Sequence, residues 1–387
     1  MMLPLAGLRV VDFTHVLAGP ACSYYLGLMG AEIVKVESPT TGDAMRHRGG
    51  TDRDAQKRGM STAYMTQGAG KKSLTLDLQT PDGAGAMKSL LEQADIFVEN
   101  HLPQTMKSLG LEPNKVSAIN PRLIHCSLTG YGRGGPLENT PAYDVNIQAI
   151  SGLMSVTGFA ETGPIRTGAP IVDYGVALSA SFAITAALYD REQTKRGCFI
   201  DVSMLETAHL LMSSTITDYV STGNAPKRRG NAANSRSPGA GNFPCKEGVL
   251  SLGVNEESQF KRLARVLDKD HWLTDSRYVN RAARMDNTDS LQSSLAEVLL
   301  TKTATEWEEV MQANGVPAAK LRSLPESLKM QHVTDRGFVH HFPDGSAVPT
   351  LPFRFNDDPP FTPSGSAPSL GQDSAEVLNT MNDSSGS

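Results

Sequence analysis

The chain has 387 residues, a length typical of two or three domains rather than one packed core. Hydrophobic residues make up 39% and charged residues 20%, which is ordinary globular usage and argues against a disordered or fibrous chain. With 36 Lys and Arg against 41 Asp and Glu the net charge is −5, and the basic residues are dispersed, so neither nucleic acid nor a membrane surface is expected as a partner.

The first half of the chain alternates short β-rich segments with helical ones, beginning with a strand at Leu8–Phe13 and a helix after Gly19-Pro20. Further strands are predicted at 33–36, 96–98, 123–127 and 199–202, with helices between them. This alternation predicts βαβ units and a parallel sheet, with ligands at the carboxyl ends of the strands.

The remaining chain predicts a second, smaller domain. We expect a large α/β domain over 1–220, a linker and loop over 221–244, a small α+β domain over 245–325, and a return linker with the end of the large domain over 326–387. The polar tail from Ser364 is expected to be partly loose.

The cysteines and the amino-terminal segment bear on location. Cys22, Cys126, Cys198 and Cys245 are widely separated and form no C-x-x-C pair, so no metal site is predicted. The opening segment lacks the basic region and cleavage site of a secretory signal, and we recognise no apolar run of the roughly 20 residues that span a bilayer. We therefore expect a cytoplasmic protein.

The glycine-rich motif G-Y-G-R-G-G-P at Gly130–Pro136 follows a predicted strand. A dinucleotide loop would run directly into a helix, and a P-loop would contain G-K-[ST]. Because Pro136 and a polar stretch follow instead, we interpret the motif as a surface or active-site loop.

Asp173 directly precedes an Ala-rich helix predicted over Tyr174–Glu192. The simplest interpretation is that Asp173 is the N-cap of this helix. The alternative is that a strand-to-helix turn presents the carboxylate outward, beside a helix N-terminus that favours its ionised, nucleophilic form.

Several blocks of sequence resemble the class III coenzyme A transferases, the family of formyl-CoA transferase and α-methylacyl-CoA racemase. The blocks are V-V-D-F-T-H-V-L-A-G-P-A-C from Val10, L-M-G-A-E-I-V-K-V-E from Leu28, G-K-K-S-L-T-L-D-L from Gly70, A-D-I-F-V-E-N from Ala94, N-P-R-L-I from Asn120, G-Y-G from Gly130, I-V-D ending at Asp173, G-C-F-I-D-V-S-M from Gly197 and, more weakly, G-V-P-A-A from Gly315.

The resemblance implies a Rossmann-like large domain plus a smaller domain, in a homodimer of two interlocked rings. It implies that Asp173 is the nucleophile, that coenzyme A is a substrate, and that no cofactor is tightly bound. It implies further binding residues for CoA and the acyl group: Val16, Leu17 and Ala18 near the N-terminus, Lys71, Lys72, Asn100 and His101 for the adenine and phosphates with Arg46 and Lys107 as nearby cations, and Tyr143 and Asp144 at the acyl group. The nearest counterpart of the family's glycine-rich lid is Pro238–Asn242, with Gly239 and Gly241.

Departures from the family pattern narrow the chemistry. Formyl-CoA transferase carries glutamine where this chain has Leu17, so an amide that could hold an acyl oxygen is missing and formate is not the expected acid. That enzyme also has arginines where this chain has Ser38 and Ser108, so phosphate binding is expected to rest more on Lys71, Lys72 and Lys107. The racemase branch has a histidine where this chain has Tyr143. Racemisation needs a base on each side of an α-carbon, a role that suits histidine rather than a phenol.

We therefore expect acyl transfer, in which Asp173 forms an anhydride and then an aspartyl-CoA thioester. Arg46, with Arg48, is the candidate for binding a second carboxylate, which favours a small dicarboxylic acid such as succinate. His15, beside the CoA segment, is expected to orient a neighbour. The alternatives are a 2-methylacyl-CoA racemase and a CoA-binding protein without chemistry.

Overall fold

The computed structural model describes residues 3–233, 235–356 and 358–384, without the side chains of 382–384. The chain forms two compact units. The large unit comprises the chain up to Met154, Arg166–Pro226 and the chain from Gln331 onward, and the small unit comprises Ser155–Ile165 and Lys227–Met330.

The strands and helices of both units are numbered here in chain order. The strands are β1 (Arg9–Phe13), β2 (Glu32–Glu37), β3 (Lys72–Thr75), β4 (Ile96–Glu99), β5 (Ile124–Thr129), β6 (Phe199–Ser203), β7 (Ala240–Pro244), β8 (Val249–Gly253), β9 (Ala318–Lys320), β10 (Val339–His341) and β11 (Ala347–Pro349). The helices are α1 (Ala18–Leu28), α2 (Arg53–Lys57), α3 (Thr62–Gly68), α4 (Pro81–Glu92), α5 (Pro103–Ser108), α6 (Pro113–Ile119), α7 (Asp144–Ile150), α8 (Leu153–Val156), α9 (Ile171–Thr194), α10 (Met204–Leu210), α11 (Ser213–Thr222), α12 (Glu257–Val266), α13 (Arg281–Asp286), α14 (Thr288–Leu299), α15 (Ala304–Ala313), α16 (Leu324–Leu328), α17 (Gln331–Asp335) and α18 (Ser374–Ser384).

The large unit is built on a six-stranded parallel sheet in the order β3-β2-β1-β4-β5-β6. This is the doubly wound order, in which the chain starts at the centre and turns outward first to one side and then to the other. The predicted α/β fold with a Rossmann-like sheet is confirmed. The switch of direction lies between β1 and β4.

Side chains of each strand alternate between two hydrophobic cores, one on each face of the sheet. Val10 of β1 packs in the core formed with α1 and α9, whereas its neighbour Val11 packs in the core formed with α4 and α6. Ile33 and Val34 of β2 divide in the same way. Because alternate side chains enter opposite cores, both faces of the sheet are buried. This explains why the strand sequences are continuous apolar runs.

The long helix α9 is apolar enough to cross a membrane by length and composition. Within the large unit it packs against α1, β5 and β6. Val176, Ala180 and Ile184 are fully buried on that side. Coverage of one sheet face therefore accounts for the apolar residues on that side of the helix.

The small unit has a three-stranded antiparallel sheet in the order β7-β8-β9, covered by helices. Its core is separate from those of the large unit and contains Phe260, Trp272 and Trp307. Thr303 and Glu306 form a reciprocal capping box that begins α15. The predicted smaller α+β domain is confirmed as an architecture.

Two local predictions are wrong, and part of the tail that was expected to be partly loose is ordered. Residues 221–244 are not a linker throughout, since β7 pairs with β8 in the small unit. The segment proposed as a glycine lid belongs to this pair of strands. Gly239 directly precedes β7, and Gly241 lies within β7 opposite Leu252. The tail is not loose over 374–381, because Val377 and Met381 of α18 are buried in the large unit.

Buried ion pairs connect the first three strands and the segments next to them. Lys71 Nζ lies 2.8 Å from Asp12 Oδ2, and Lys35 Nζ lies 3.1 Å from Asp43 Oδ2. Arg46 makes a bidentate contact with Glu37, at 2.8 and 2.7 Å. Burial opposes ionisation of Asp12, yet Lys35 and Lys71 hold its pKa well below the usual range. The six charges balance in sign, as buried charges must if the fold is to tolerate them.

Lys71 and Lys72 offer a matched test of this network. Lys71→Met leaves the Asp12 carboxylate without its direct partner, and we expect the free energy of unfolding to fall by about 3–5 kcal/mol. Lys72 pairs with Glu32 and Glu376 at the surface, so Lys72→Met should cost less than about 1 kcal/mol. Urea denaturation measures both.

Equal losses for the two substitutions would contradict this assignment. If Lys71→Met fails to fold, the double variant Asp12→Asn with Lys71→Met provides the second measurement. It removes both charges of the pair and should recover part of the stability.

Candidate active site

A cavity of about 310 Å³ lies in the large unit at the carboxyl ends of β1, β4 and β5. This position is the switch point of the sheet, where open α/β sheets bind their ligands. The cavity is lined by His15, Val16, Leu17, Ala18, Asn100, His101, Leu102, Thr105, Leu128, Thr129, Gly130, Thr140, Pro141, Ala142, Tyr143, Asp173 and Met204. Segments far apart in sequence, including the predicted Val16–Ala18, Asn100–His101, Tyr143 and Asp173, thus line one cavity.

The loop between β1 and α1 is strained and held in place by side chains. Val16 has φ of 70°, a left-handed conformation that is unfavourable for a β-branched residue. Asp43 Oδ1 accepts a hydrogen bond from the Val16 N–H at 3.1 Å. Asn100 accepts from the His15 N–H at 2.9 Å and donates to the His15 carbonyl at 2.8 Å. The surroundings therefore impose this conformation, as is common at functional sites.

The N-terminus of α1 borders the same cavity. Leu17 is the N-cap and makes no side-chain capping bond, so the first amides of the helix, at Ala18 and Gly19, have no partner within the helix. Gly19 is required sterically, because a Cβ there would lie 2.5 Å from the Thr14 side chain. These two N–H groups are suitable donors for a negatively charged oxygen.

Asp173 lies in the first turn of α9 and is half-buried at the cavity. The N-cap of α9 is Pro170, so the prediction that Asp173 caps this helix is wrong. The capping oxygen comes from Asp144, whose Oδ2 accepts from the Val172 N–H at 2.9 Å and the Asp173 N–H at 3.4 Å. Asp144 is buried and borders Asp173 without lining the cavity.

The environment of Asp173 favours the protonated form more than expected. Burial, and secondly the charge of Asp144, raise the pKa of Asp173 to about 7. The prediction that the helix N-terminus keeps this carboxyl ionised is therefore wrong, because Asp144 already occupies those amides. Near neutral pH, Asp173 is poised between acid and carboxylate, a state typical of reactive groups.

Two histidines lie beside the strained loop. The His101 ring stacks on Phe13 with centroids 4.2 Å apart and lies 4.9 Å from the His15 ring. Burial, with the neighbouring His15, lowers the pKa of His101 to about 4, and burial also lowers the pKa of His15. Both rings are therefore neutral at physiological pH.

A second groove of about 620 Å³ follows the carboxyl ends of β1, β2 and β3. Its lining includes the hydroxyls of Ser38 and Thr40 and the amide of Gln79. His15 and His101 line both this groove and the first cavity. The two spaces are neighbours in the large unit, and together they provide a long binding path.

The predicted cations have other roles or positions. Lys71 and Arg46 are each buried in an ion pair, so the predictions that they bind phosphate or a substrate carboxylate are wrong. Lys72 pairs with Glu32 and Glu376 near the surface. Lys107 is exposed on α5 and lines neither the cavity nor the groove.

The loop at Gly130–Pro136 is not followed directly by a helix, and its Arg133 makes structural contacts. Arg133 donates to Glu99 Oε1 and to the Ser127 hydroxyl, each at 3.0 Å, and its backbone N–H donates to Asp201 at 2.8 Å. Glu99 Oε2 in turn accepts from the His101 N–H at 2.8 Å. The motif thus connects three strand ends behind the cavity.

The sequence analysis missed two features of the site. Asp43 was not recognised as an anchor of the β1–α1 loop, although it follows a strand that ends at the same edge of the sheet. The lining residues Thr129, Thr140 and Met204 were also missed. Thr129 and Met204 stand at or just after strand ends, which is the signal that could have identified them.

The fold and the cavity together define a doubly wound α/β enzyme with its site at the switch point. The chain matches CoA-transferase family III over residues 5–374 and belongs to that family. It is therefore a CoA-transferase, with an acyl-CoA and a carboxylic acid as substrates.

Named relatives cover nearly the whole chain. The succinyl-CoA:glutarate CoA-transferase of Homo sapiens is 31% identical over 97% of this chain and 85% of its own. The succinate–glutarate CoA-transferase of Agrobacterium fabrum is 31% identical over 97% and 95%. The acetyl-CoA:oxalate CoA-transferase of Acetobacter aceti is 32% identical over 97% and 95%.

Solved structures agree with the fold. A CAIB/BAIF family protein from Brucella suis superposes with a TM-score of 0.86 and 28% identity, over 98% of this chain and 100% of that one. A protein from Mycobacterium tuberculosis superposes with a TM-score of 0.85 and 27% identity, over 96% and 98%.

The raised pKa of Asp173 predicts a stability effect with a definite sign. Its ordinary value is 3.8, so between that pH and about 7 the folded state retains a proton that the unfolded state releases. The contribution of Asp173 to the stability of the native protein should therefore fall as pH rises through this window. Asp173→Asn lacks the penalty and should be more stable by about 2 kcal/mol above pH ~7, after allowance for partial exposure.

Denaturation at about pH 4 and about pH 8 measures this difference. The gain from Asp173→Asn should be small at the lower pH and largest at the higher one. A gain that is independent of pH would contradict the raised pKa.

Proposed function

We propose that Asp173 is the covalent nucleophile of a CoA transfer from a small dicarboxylic acyl-CoA, such as succinyl-CoA, to a carboxylic acid. One observation carries the proposal: the Asp173 carboxyl lines the same cavity as the N-terminus of α1, at the switch point of the sheet. A carboxyl group and unpaired backbone N–H groups bordering one space are what such a transfer requires, and this supports the proposal.

The reaction proceeds through three enzyme-bound species, namely two anhydrides and, between them, a thioester. The Asp173 carboxylate attacks the thioester carbonyl, forms a mixed anhydride and releases CoA thiolate. The thiolate attacks the aspartyl carbonyl, which frees the donor acid and leaves an aspartyl-CoA thioester. The acceptor carboxylate attacks this thioester, and the released thiolate then attacks the acceptor acyl carbon, restoring Asp173. One thioester and one acid enter, and one of each leave.

Each tetrahedral intermediate develops a negative oxygen, and the amides of Ala18 and Gly19 are the proposed donors. Such donors are effective when they are held in place before the reaction, and removal of one typically costs about 10²–10³ in rate. The left-handed conformation of Val16, which the hydrogen bond to Asp43 holds in place, provides this rigidity. Backbone donors also explain how Leu17 can stand in this loop without a polar side chain.

The dicarboxylic specificity is supported by the relatives named for succinyl-CoA or succinate. Among the described residues that line the cavity there is no Lys or Arg. We propose that the hydroxyls of Thr129, Thr140 and Tyr143 bind the distal carboxylate of the acyl group. The remainder of CoA would follow the neighbouring groove, where Ser38, Thr40 and Gln79 offer polar contacts.

The racemase alternative is not favoured. Tyr143 stands where a racemase base would be required, and this side chain is exposed at the cavity. His101 lines the cavity, but its pKa of about 4 makes it a weak base at neutral pH.

We also propose a cytoplasmic homodimer. The described chain holds four cysteines, all free, which suits a reducing compartment. On α9, Leu178, Phe182 and Tyr189 are 50, 77 and 74% exposed and share one helix face. A second copy is the proposed cover for this face.

Solution scattering should therefore give a particle of about twice the chain mass of 41.5 kDa. Phe182→Asp should perturb the assembly, whereas Asp190→Ala, on an exposed part of the same helix, should leave it unchanged. A monodisperse wild-type monomer would overturn the dimer.

The nucleophile is tested by Asp173→Ala. We expect at least about a 10³-fold loss of CoA transfer with retained fold, because the reaction has no path around the covalent step. Asp190→Ala is the matched control and should keep full activity.

Isotope transfer tests the mechanism directly. An acceptor acid labelled with oxygen-18 passes one labelled oxygen to the Asp173 carboxylate when the second anhydride resolves. Peptide mass spectrometry after turnover should find this label at Asp173. Active enzyme with no label there would exclude the pathway.

A further inference from the structure

We propose that His15 donates a hydrogen bond from Nε2 to a carbonyl oxygen of the pantetheine arm of CoA, where the arm passes from the groove to the cavity. This inference rests on the proposed function, since it takes the Asp173 cavity as the thioester site. It assigns to His15 a substrate contact in place of the orienting role expected from the sequence.

The position of His15 is the first support. It belongs to the lining of the cavity that contains Asp173 and to the lining of the groove along β1, β2 and β3, a property shared only with His101 among the described lining residues. A molecule that reacts in the cavity and extends into the groove must pass these two rings. In an acyl-CoA, the segment between thioester and nucleotide is pantetheine, which carries two amide groups.

The second support is the hydrogen-bonding state of the ring. His15 Nδ1 is buried and has no hydrogen-bond partner in the described chain. A neutral imidazole carries its proton on one nitrogen, and a proton on Nδ1 would leave a buried donor unsatisfied. The favoured tautomer therefore places the proton on Nε2, which makes that nitrogen a donor.

The third support is that the ring is held in place before any ligand arrives. Asn100 binds both the N–H and the carbonyl of His15, and the His101 ring, itself stacked on Phe13, lies against the His15 ring. Asn100 therefore fixes the backbone, while His101 and Phe13 limit the side chain. A donor fixed in this way loses little conformational freedom on binding.

The chemistry of the donor favours an amide carbonyl. Burial lowers the pKa of His15, so the ring is neutral and offers a single uncharged N–H. Such a donor suits a neutral carbonyl oxygen better than a phosphate, for which charged or multiple donors are preferred. The pantetheine amides are the groups of CoA that match it.

Three substitutions distinguish the roles of the two ring nitrogens of His15. His15→Gln places an amide N–H near the position of Nε2, His15→Asn places one near Nδ1, and His15→Leu has no donor. With succinyl-CoA and glutarate, we expect His15→Asn and His15→Leu to raise KM for the thioester about 3–10-fold with little change in kcat. His15→Gln should restore most of the affinity.

A series of thioesters identifies the contacted group. Succinyl-pantetheine keeps both amides and should show the same loss as succinyl-CoA. The succinyl thioester of ethanethiol has no amide, so its kcat/KM should be equal in wild type, His15→Gln and His15→Leu. Thermal unfolding of each variant shows whether the fold is retained.

The outcomes are distinguishable. Equal losses on all three thioesters would overturn the inference, since they would indicate a general disturbance of the β1–α1 loop. So would unchanged kinetics in His15→Leu, or a defect in His15→Gln as large as in His15→Leu. Failure of the proposed function would instead appear in the wild type, as no succinyl transfer from any thioester or no oxygen-18 in Asp173.

Discussion

The buried pair of Lys35 and Asp43 is the interaction on which the site depends. Lys35 Nζ contacts Asp43 and also donates to the Thr14 carbonyl at 2.7 Å, so one cation holds both sides of the β1–α1 loop. Asp43 passes this constraint to the Val16 N–H. Neither charge would be tolerated at this depth without the other. Because the two buried charges must stay paired, they hold the loop in one conformation. This conformation determines the position of the first backbone amides of α1.

Asp173 contrasts with the acids of this network. Asp12, Asp43 and Glu37 each have a buried cation, and despite burial their pKa values lie below the ordinary range. No cation faces Asp173 within the described lining of its cavity, and Asp144 adds a like charge. The same fold thus pairs some carboxylates with buried cations and leaves the Asp173 carboxyl without one in the described cavity lining. Its poorly stabilised charge is the property that a nucleophile for carbonyl attack requires.

Sequence patterns predicted the large α/β unit and the smaller α+β unit, because alternating strands and helices specify a parallel sheet. The resemblance to the class III CoA-transferases, rather than these patterns, implied much of the cavity lining. Patterns and resemblance have different limits. They failed for Lys71 and Arg46, since charge in a motif does not reveal a partner such as Asp12 or Glu37 in another segment. The prediction of the cap of α9 failed for the same reason, because Asp144, which accepts from the first amides of that helix, precedes it by 27 residues. Gly241 was mistaken for a loop residue because its strand is short and its pairing with β8 is set by the ladder rather than by local propensity.

Binding and chemistry share one piece of backbone in this protein. His15, Val16 and Leu17 are consecutive residues of the β1–α1 loop, and Ala18 begins the helix that follows. The proposed pantetheine contact lies at one end of this segment and the proposed oxyanion donors at the other. A contact made by CoA at His15 should therefore favour the same strained conformation that presents the amides at Ala18 and Gly19. Interactions with the unreactive arm of a substrate are then used to hold the reacting groups in place, which is how remote binding energy contributes to rate. On this view the rigidity of the β1–α1 loop is a requirement of catalysis as well as of the fold.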